Sequence, residues 1–158
     1  MSVAFRRESD DEHLEPTFEL PIPAGPNYVT ARGLAQISAK LADLTAHLDS
    51  LTNESDIKAT KRELRYWNTR QSTAQLLDKP DGTRVAFGCT VDYVLNGKPN
   101  TITLVGDDEA DSSQGLISFT APLARAMLDA EVGEAVDFAG KAEALEVRDI
   151  RVRPDLFG

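Results

Sequence analysis

The sequence predicts an α+β protein, in which an N-terminal antiparallel helical hairpin precedes a C-terminal antiparallel β domain with one short helix. Three observations support this prediction: apolar residues with heptad spacing in the first half, a break at residues 79–82, and alternating apolar and polar residues beyond that break. We therefore expect the hairpin over residues 30–78 and the β domain over residues 83–153.

The hairpin prediction begins at Thr30, which has the residue type of a helix N-cap. The first helix carries an a/d seam at Leu34, Ile37, Leu41, Leu44, Leu48 and Leu51. A second helix is expected from about Asp56 to Leu77, with a/d positions at Ile57, Thr60, Leu64, Trp67, Gln71 and Ala74. The turn between them is short, so the helices should be antiparallel, with Ser55 or Asp56 capping the second.

The β half begins with alternating apolar residues, which predict a half-buried strand. They are Val85, Phe87, Cys89, Val91 and Tyr93. Asn96-Gly97 predicts a hairpin turn, and strands are expected at 101–105 and 116–120. Pro122 suits the first position of a short helix. Two final strands are expected at 136–138 and 144–150.

Composition limits the class of function. The chain has 158 residues, of which 41% are hydrophobic and 27% charged, as in a soluble protein. It has no long apolar run for a membrane and no signal-peptide pattern, so we expect a cytoplasmic protein without a membrane partner. Its single cysteine, Cys89, fits a reducing compartment and is expected to be a small buried hydrophobe. The net charge of −9 argues against free duplex nucleic acid as the main partner.

Residues 1–29 combine acidic residues with prolines. The acids are Glu8, Asp10, Asp11, Glu12, Glu15 and Glu19. Such a segment buries little apolar surface, so we expect a disordered tail, with a binding arm as the alternative.

Several motifs, in order along the chain, resemble the GreA/GreB transcript-cleavage factors. They are residues 28–34, Arg65-Tyr66, 76–78, 88–91, 105–111, 117–118, 121–128 and 132–134. The resemblance implies a coiled-coil hairpin and a C-terminal domain of FK506-binding-protein-like topology, for which we expect no prolyl isomerase activity. It also implies a monomer that binds bacterial RNA polymerase through its C-domain and inserts the hairpin into the secondary channel.

The same resemblance implies the site residues. The polymerase-binding loop corresponds to Phe119, Thr120, Ala121, Pro122 and Leu123. Here Thr120-Ala121 replace the Asp-Ser of the GreB-like pattern, which removes a carboxylate. The family also uses a basic hairpin face to hold RNA. Its counterpart here would be Lys58, Lys61, Arg62 and Arg65, with Arg70 on the same helix. The alternative is a solvated face with ion pairs from Glu63 to Lys58 or Arg70.

In this family, acidic residues at the hairpin tip help to hold a magnesium ion in the polymerase active centre, but the family's tip motif is absent here. The candidates for such a contact are Asp49, Glu54 and Asp56. The arms are about three turns shorter than the family's, a loss of roughly 16 Å in reach. We therefore expect a regulator that is not itself an enzyme, stimulates cleavage weakly or not at all, and binds no metal or cofactor alone.

Two other functions remain open from the sequence. One is a short-hairpin channel competitor that resembles the regulator of nucleoside diphosphate kinase. The other is a structural adaptor that dimerises through the heptad seam. The acids Asp107, Asp108, Glu109 and Asp111 could hold calcium, but a solvated loop is favoured because their spacing is not that of an EF-hand.

Overall fold

The computed structural model describes residues 19–158. These form two compact units. One contains residues 19–24 and Ser38–Ser72, and the other contains Gly25–Ile37 and Thr73–Gly158. Most of the predicted N-terminal tail, residues 1–18, lies outside the described part of the chain. None of the described helices is long and apolar enough to cross a membrane.

The α+β class is confirmed. The helices are α1 (Ala31–Asp49), α2 (Glu54–Thr73) and α3 (Pro122–Met127). The strands are β1 (Tyr28–Val29), β2 (Gln75–Leu76), β3 (Cys89–Leu95), β4 (Lys98–Val105), β5 (Leu116–Ser118), β6 (Ala135–Phe138) and β7 (Lys141–Val152). Two 3₁₀ segments lie at Ser112–Gln114 and Pro154–Leu156.

Helix α1 begins as the sequence predicts. The Thr30 hydroxyl accepts a hydrogen bond from the Gly33 amide at 2.9 Å, which satisfies one of the unpaired amides of the first turn. The heptad seam also faces inward: Ile37 and Leu44 are buried, and the remaining leucines of the seam are half-buried. The apolar spacing therefore correctly predicted which face of this helix is covered.

Helix α2 starts earlier than predicted and has a different cap. The Asn53 side-chain oxygen accepts hydrogen bonds from the amides of Ser55 (2.8 Å) and Asp56 (3.2 Å). The prediction that Ser55 or Asp56 caps this helix is therefore wrong, because both residues already lie inside its first turn. The Gln71 amide donates to the Ser38 hydroxyl at 3.0 Å, which joins the end of α2 to the early part of α1, as in an antiparallel pair.

The second unit is built on a five-stranded sheet with the strand order β5-β4-β3-β7-β6. It is mixed, because β4 and β5 are parallel and the other pairs are antiparallel. Asn96-Gly97 forms the predicted two-residue turn between β3 and β4, with both residues at positive φ. The main core comprises Val85, Cys89, Val91, Tyr93, Ile102, Leu104, Ala124, Met127, Ala130, Leu145 and Val147.

Two details of the predicted first strand need correction. Val85 is buried but lies outside β3, because its amide and carbonyl pair with the backbone of Ala130 and Asp129. A turn follows, in which the Cys89 amide bonds to the Ala86 carbonyl at 3.0 Å, and only then does β3 begin. Cys89 itself is fully buried, as predicted, and burial raises the pKa of its thiol.

The sequence did not predict a small parallel ribbon, in which Tyr28 pairs with Gln75 and Val29 with Leu76. Tyr28 and Val29 had been assigned to the tail, and residues 74–77 to the second helix. Each strand is two residues long, too short for any period-two pattern to show. The ribbon joins the segment that precedes α1 to the segment that follows α2.

The ribbon lies close to the loop after β4 at Gly106, where a β-carbon would overlap the Tyr28 carbonyl oxygen. Because the obstacle is backbone, it cannot rotate away. Gly106→Ala should therefore lower the free energy of unfolding by about 2 kcal/mol, measured by urea denaturation. Ala142→Val, at an exposed position of β7, should change it by less than about 0.5 kcal/mol. Equal stability of the two variants would contradict this close approach.

Candidate functional site

The segment before α3 presents the predicted polymerase-binding residues. Pro122 occupies the first turn of α3, and Ala121 precedes it in an extended conformation with no side-chain cap. Thr120 and Pro122 are exposed, whereas Phe119 and Leu123 are half-buried. Leu123 packs against the main core. The segment therefore exposes Thr120 and Pro122 to solvent while Leu123 anchors it to the core.

A carboxylate from another part of the chain, that of Asp107, lies beside this segment. The Ser118 hydroxyl donates to the Asp107 carboxylate at 2.6 Å, and the Thr120 hydroxyl donates to the same oxygen at 3.2 Å. The two hydroxyls are also 2.7 Å apart. Asp107 arrives here because β4 and β5 run parallel, with Val105 paired to Ser118. Sequence reasoning missed it because this parallel pairing has no local signal.

Phe119 belongs to a cluster of three aromatic rings. Its centroid lies 5.1 Å from that of Tyr28 and 5.5 Å from that of Phe87, and the latter two are 6.1 Å apart. Aromatic pairs prefer such tilted and edge-to-face geometries, so these contacts restrict the ring positions more than burial of apolar area does by itself. Tyr28 and Phe87 therefore fix Phe119 at the base of the exposed segment, and neither was predicted as a site residue.

Glu109 is the most deeply buried acid in this region, with 1% of its side chain exposed. One carboxylate oxygen accepts a hydrogen bond from the Thr30 hydroxyl at 2.7 Å, and the other lies 3.7 Å from the Arg32 guanidinium. The carboxylate thus sits at the start of α1, where the helix dipole favours negative charge. The expectation of a solvated acidic loop is wrong for this residue.

Asp111 also has a local role in this loop. The Asp111 carboxylate accepts hydrogen bonds from Ser113 and Gln114 and caps the 3₁₀ segment, and these bonds lower its pKa. Over residues 19–158, no three metal-ligating side chains form a cluster.

Gly33 explains how Glu109 fits. A β-carbon on Gly33 would lie 2.8 Å from the nearer Glu109 oxygen. Alanine ordinarily favours a helix over glycine by about 1 kcal/mol. We predict that Gly33→Ala lowers stability by about 1 kcal/mol in the wild-type chain, since the carboxylate must move. In a Glu109→Ala background the same change should instead raise it by about 0.5 to 1 kcal/mol.

A double-mutant cycle by urea denaturation measures this coupling. Additive effects of the two substitutions would show that Gly33 and Glu109 do not compete for the same space.

The predicted tip acids lie at the turn of the hairpin. Asp49 is the last residue of α1, and Glu54 and Asp56 lie in the first turn of α2. All three are exposed. Carboxylates in a first helical turn complement the helix dipole, which accounts for Glu54 and Asp56 without a metal.

The predicted basic face is partly as expected. Lys58, Lys61 and Arg65 are exposed and Arg62 is half-buried, but Arg70 is 2% exposed and does not contribute to this surface. Sequence reasoning placed Arg70 here from its helix alone, without its packing.

The partner of Arg65 was also unexpected. Both oxygens of the Glu19 carboxylate accept hydrogen bonds from the Arg65 guanidinium, a bidentate pair that lowers the pKa of Glu19. Sequence reasoning named no partner for Arg65.

Comparisons with known proteins identify the family. Residues 79–154 match the family model "Transcription elongation factor, GreA/GreB, C-term". GreA of Desulfovibrio desulfuricans is 42% identical over 77 residues, which are 46% of this chain and 48% of that protein. The chain thus spans about half the length of that relative. GreA of Hyphomonas neptunium is 33% identical over 127 residues, covering 73% of this chain and 80% of the relative.

A solved GreA/GreB factor from Nitrosomonas europaea covers 81% of this chain and 99% of its own, at 16% identity and a TM-score of 0.39. That score is too low to support any detail of arrangement. The sequence matches define the class of protein: a transcription elongation factor. With one third identity across four fifths of a relative, the chain belongs to the GreA/GreB family.

Proposed function

We propose that this protein binds bacterial RNA polymerase in the cytoplasm as a monomer and regulates transcript elongation through the secondary channel, with little or no stimulation of RNA cleavage. Family membership supports the partner. The main structural support for a docking site is the Thr120–Pro122 segment. Phe119, which precedes it, packs in the aromatic cluster, and Asp107 accepts a hydrogen bond from Thr120.

The docking surface combines one apolar and one polar element. Pro122 supplies exposed apolar surface, and the Thr120 hydroxyl and Asp107 carboxylate supply hydrogen-bonding groups next to it. Interfaces of this kind depend on a few well-positioned contacts at their centre. Asp107 would provide the carboxylate that the GreB-like pattern has as an Asp at the position of Thr120.

This proposal predicts that Thr120→Lys weakens binding of the full chain to core polymerase at least about tenfold. A lysine there would cover the exposed surface and neutralise Asp107. Binding can be measured by biolayer interferometry, with Asn100→Lys at an exposed position of β4 as the control for added charge. If both variants bound as tightly as wild type, the docking surface would be elsewhere.

The hairpin tip supports the absence of strong cleavage. Magnesium requires oxygen ligands within about 2.1 Å, and a hairpin roughly three turns short cannot reach a metal that the family's longer arms contact. The Asn53 cap and the position of Glu54 and Asp56 show that these residues already have a structural role at the turn. The protein would then occupy the channel without supplying a metal ligand.

We expect the full chain not to accelerate 3′-RNA cleavage in backtracked elongation complexes, and the Asp49→Ala, Glu54→Ala, Asp56→Ala triple variant to behave identically. In excess, the chain should slow cleavage stimulated by a full-length GreA, since both would compete for one channel. Denaturing gels of labelled RNA report both effects. Rapid cleavage by the wild-type chain, lost in the triple variant, would overturn the proposal.

The exposed face of α2 supports a contact with RNA inside the polymerase complex. Lys58, Arg62 and Arg65 are spaced four and three residues apart and so share one side of the helix. Phosphate contacts of this type need no sequence readout. A local basic face can act in this way although the whole chain is acidic.

A further inference from the structure

We propose that the segment around Glu19 is an internal competitor for the RNA-binding face of α2, so that RNA must displace it from Arg65. This inference rests on the RNA contact proposed above. It goes further by assigning a role to residues 19–22, and it predicts that the free protein binds RNA more weakly than its basic face alone allows.

The geometry of the Glu19–Arg65 pair supports this role. The guanidinium donates from both Nε and Nη2 to the two carboxylate oxygens, the latter bond being 2.7 Å long. A phosphodiester presents two oxygens in a similar arrangement, and arginine binds both groups in this bidentate way. Glu19 therefore occupies the donors that a phosphate would use.

The electrostatics extend beyond one arginine. The positive charge of Arg62 also lowers the pKa of Glu19, so the carboxylate lies within the field of two cations. Attraction between opposite charges favours the contact between Glu19 and Arg65. An anionic nucleic acid would compete for the same positive potential around Arg62 and Arg65.

The residues after Glu19 continue along α2 but bury little surface there. Leu20 and Ile22 line, together with Arg65, Tyr66 and Thr69, an open groove of about 390 Å³. Leu20 remains 37% exposed and Ile22 46% exposed, so this segment buries little apolar area. Both charged partners are more than half exposed as well. A contact with so little burial is reversible, as a competitor must be.

The test uses the full chain and a fluorescein-labelled twelve-nucleotide oligouridine, with binding followed by anisotropy at low salt. Glu19→Gln should bind about three- to fivefold more tightly than wild type, as expected for removal of an exposed competing ion pair. Asp43→Asn, which removes one exposed acid from α1, is the matched charge control and should bind like wild type. The difference between Glu19→Gln and wild type should shrink at high salt.

Arg65→Gln separates this mechanism from a general charge effect. In an Arg65→Gln background, Glu19→Gln should no longer increase affinity, because the contact is already absent. The NMR signal of the Arg65 Nε–H reports the contact directly and should shift in Glu19→Gln but not in Asp43→Asn.

If the NMR signal shifts but Glu19→Gln and Asp43→Asn bind the oligonucleotide equally, the competitor role is wrong and the RNA contact stands. If no variant binds the oligonucleotide at low salt, the RNA contact itself fails, and the competitor role fails with it. Docking to polymerase through the Thr120–Pro122 segment would be unaffected in either case.

Discussion

The buried carboxylate of Glu109 is the constraint on which the second unit depends. A charged group removed from water is costly unless donors surround it. Here the Thr30 hydroxyl donates to one oxygen, while the other has no hydrogen bond and is compensated only by the Arg32 charge at 3.7 Å and the start of α1. The absence of a side chain at Gly33 leaves room for this carboxylate. The start of α1, the loop that contains Glu109 and the glycine at position 33 therefore depend on one another.

The turn after β4 connects the environment of Glu109 to the proposed docking surface. Asp107 and Glu109 lie two residues apart in the turn after β4, and their carboxylates bond to Thr120 and Thr30 respectively. The same turn begins at Gly106, which lies against the Tyr28 carbonyl. A short segment therefore anchors both the beginning of α1 and the loop that precedes α3. In this chain, residues 106–109 therefore have a structural role at this point of the fold.

The features that sequence reasoning predicted well were those with a local, repeated signal. Apolar spacing located α1 and its buried face, Asn96-Gly97 located the β3–β4 turn, and Pro122 located the start of α3. The docking segment came from the resemblance to the family and stays a prediction.

What sequence reasoning missed depends on contacts between distant residues. The β1–β2 ribbon joins residues 47 positions apart, Asp107 reaches Thr120 through parallel pairing, and Glu19 binds Arg65. Burial of Glu109 also contradicts the usual behaviour of an acidic loop, and it depends on the distant Thr30, Arg32 and Gly33. The most direct test of the account as a whole is a cryo-electron microscopy reconstruction of the chain bound to a backtracked elongation complex. We predict density for α1 and α2 within the secondary channel, the Thr120–Pro122 segment against its rim, and the hairpin tip short of the catalytic metal. A hairpin lying outside the channel, or tip carboxylates coordinating the metal, would contradict it.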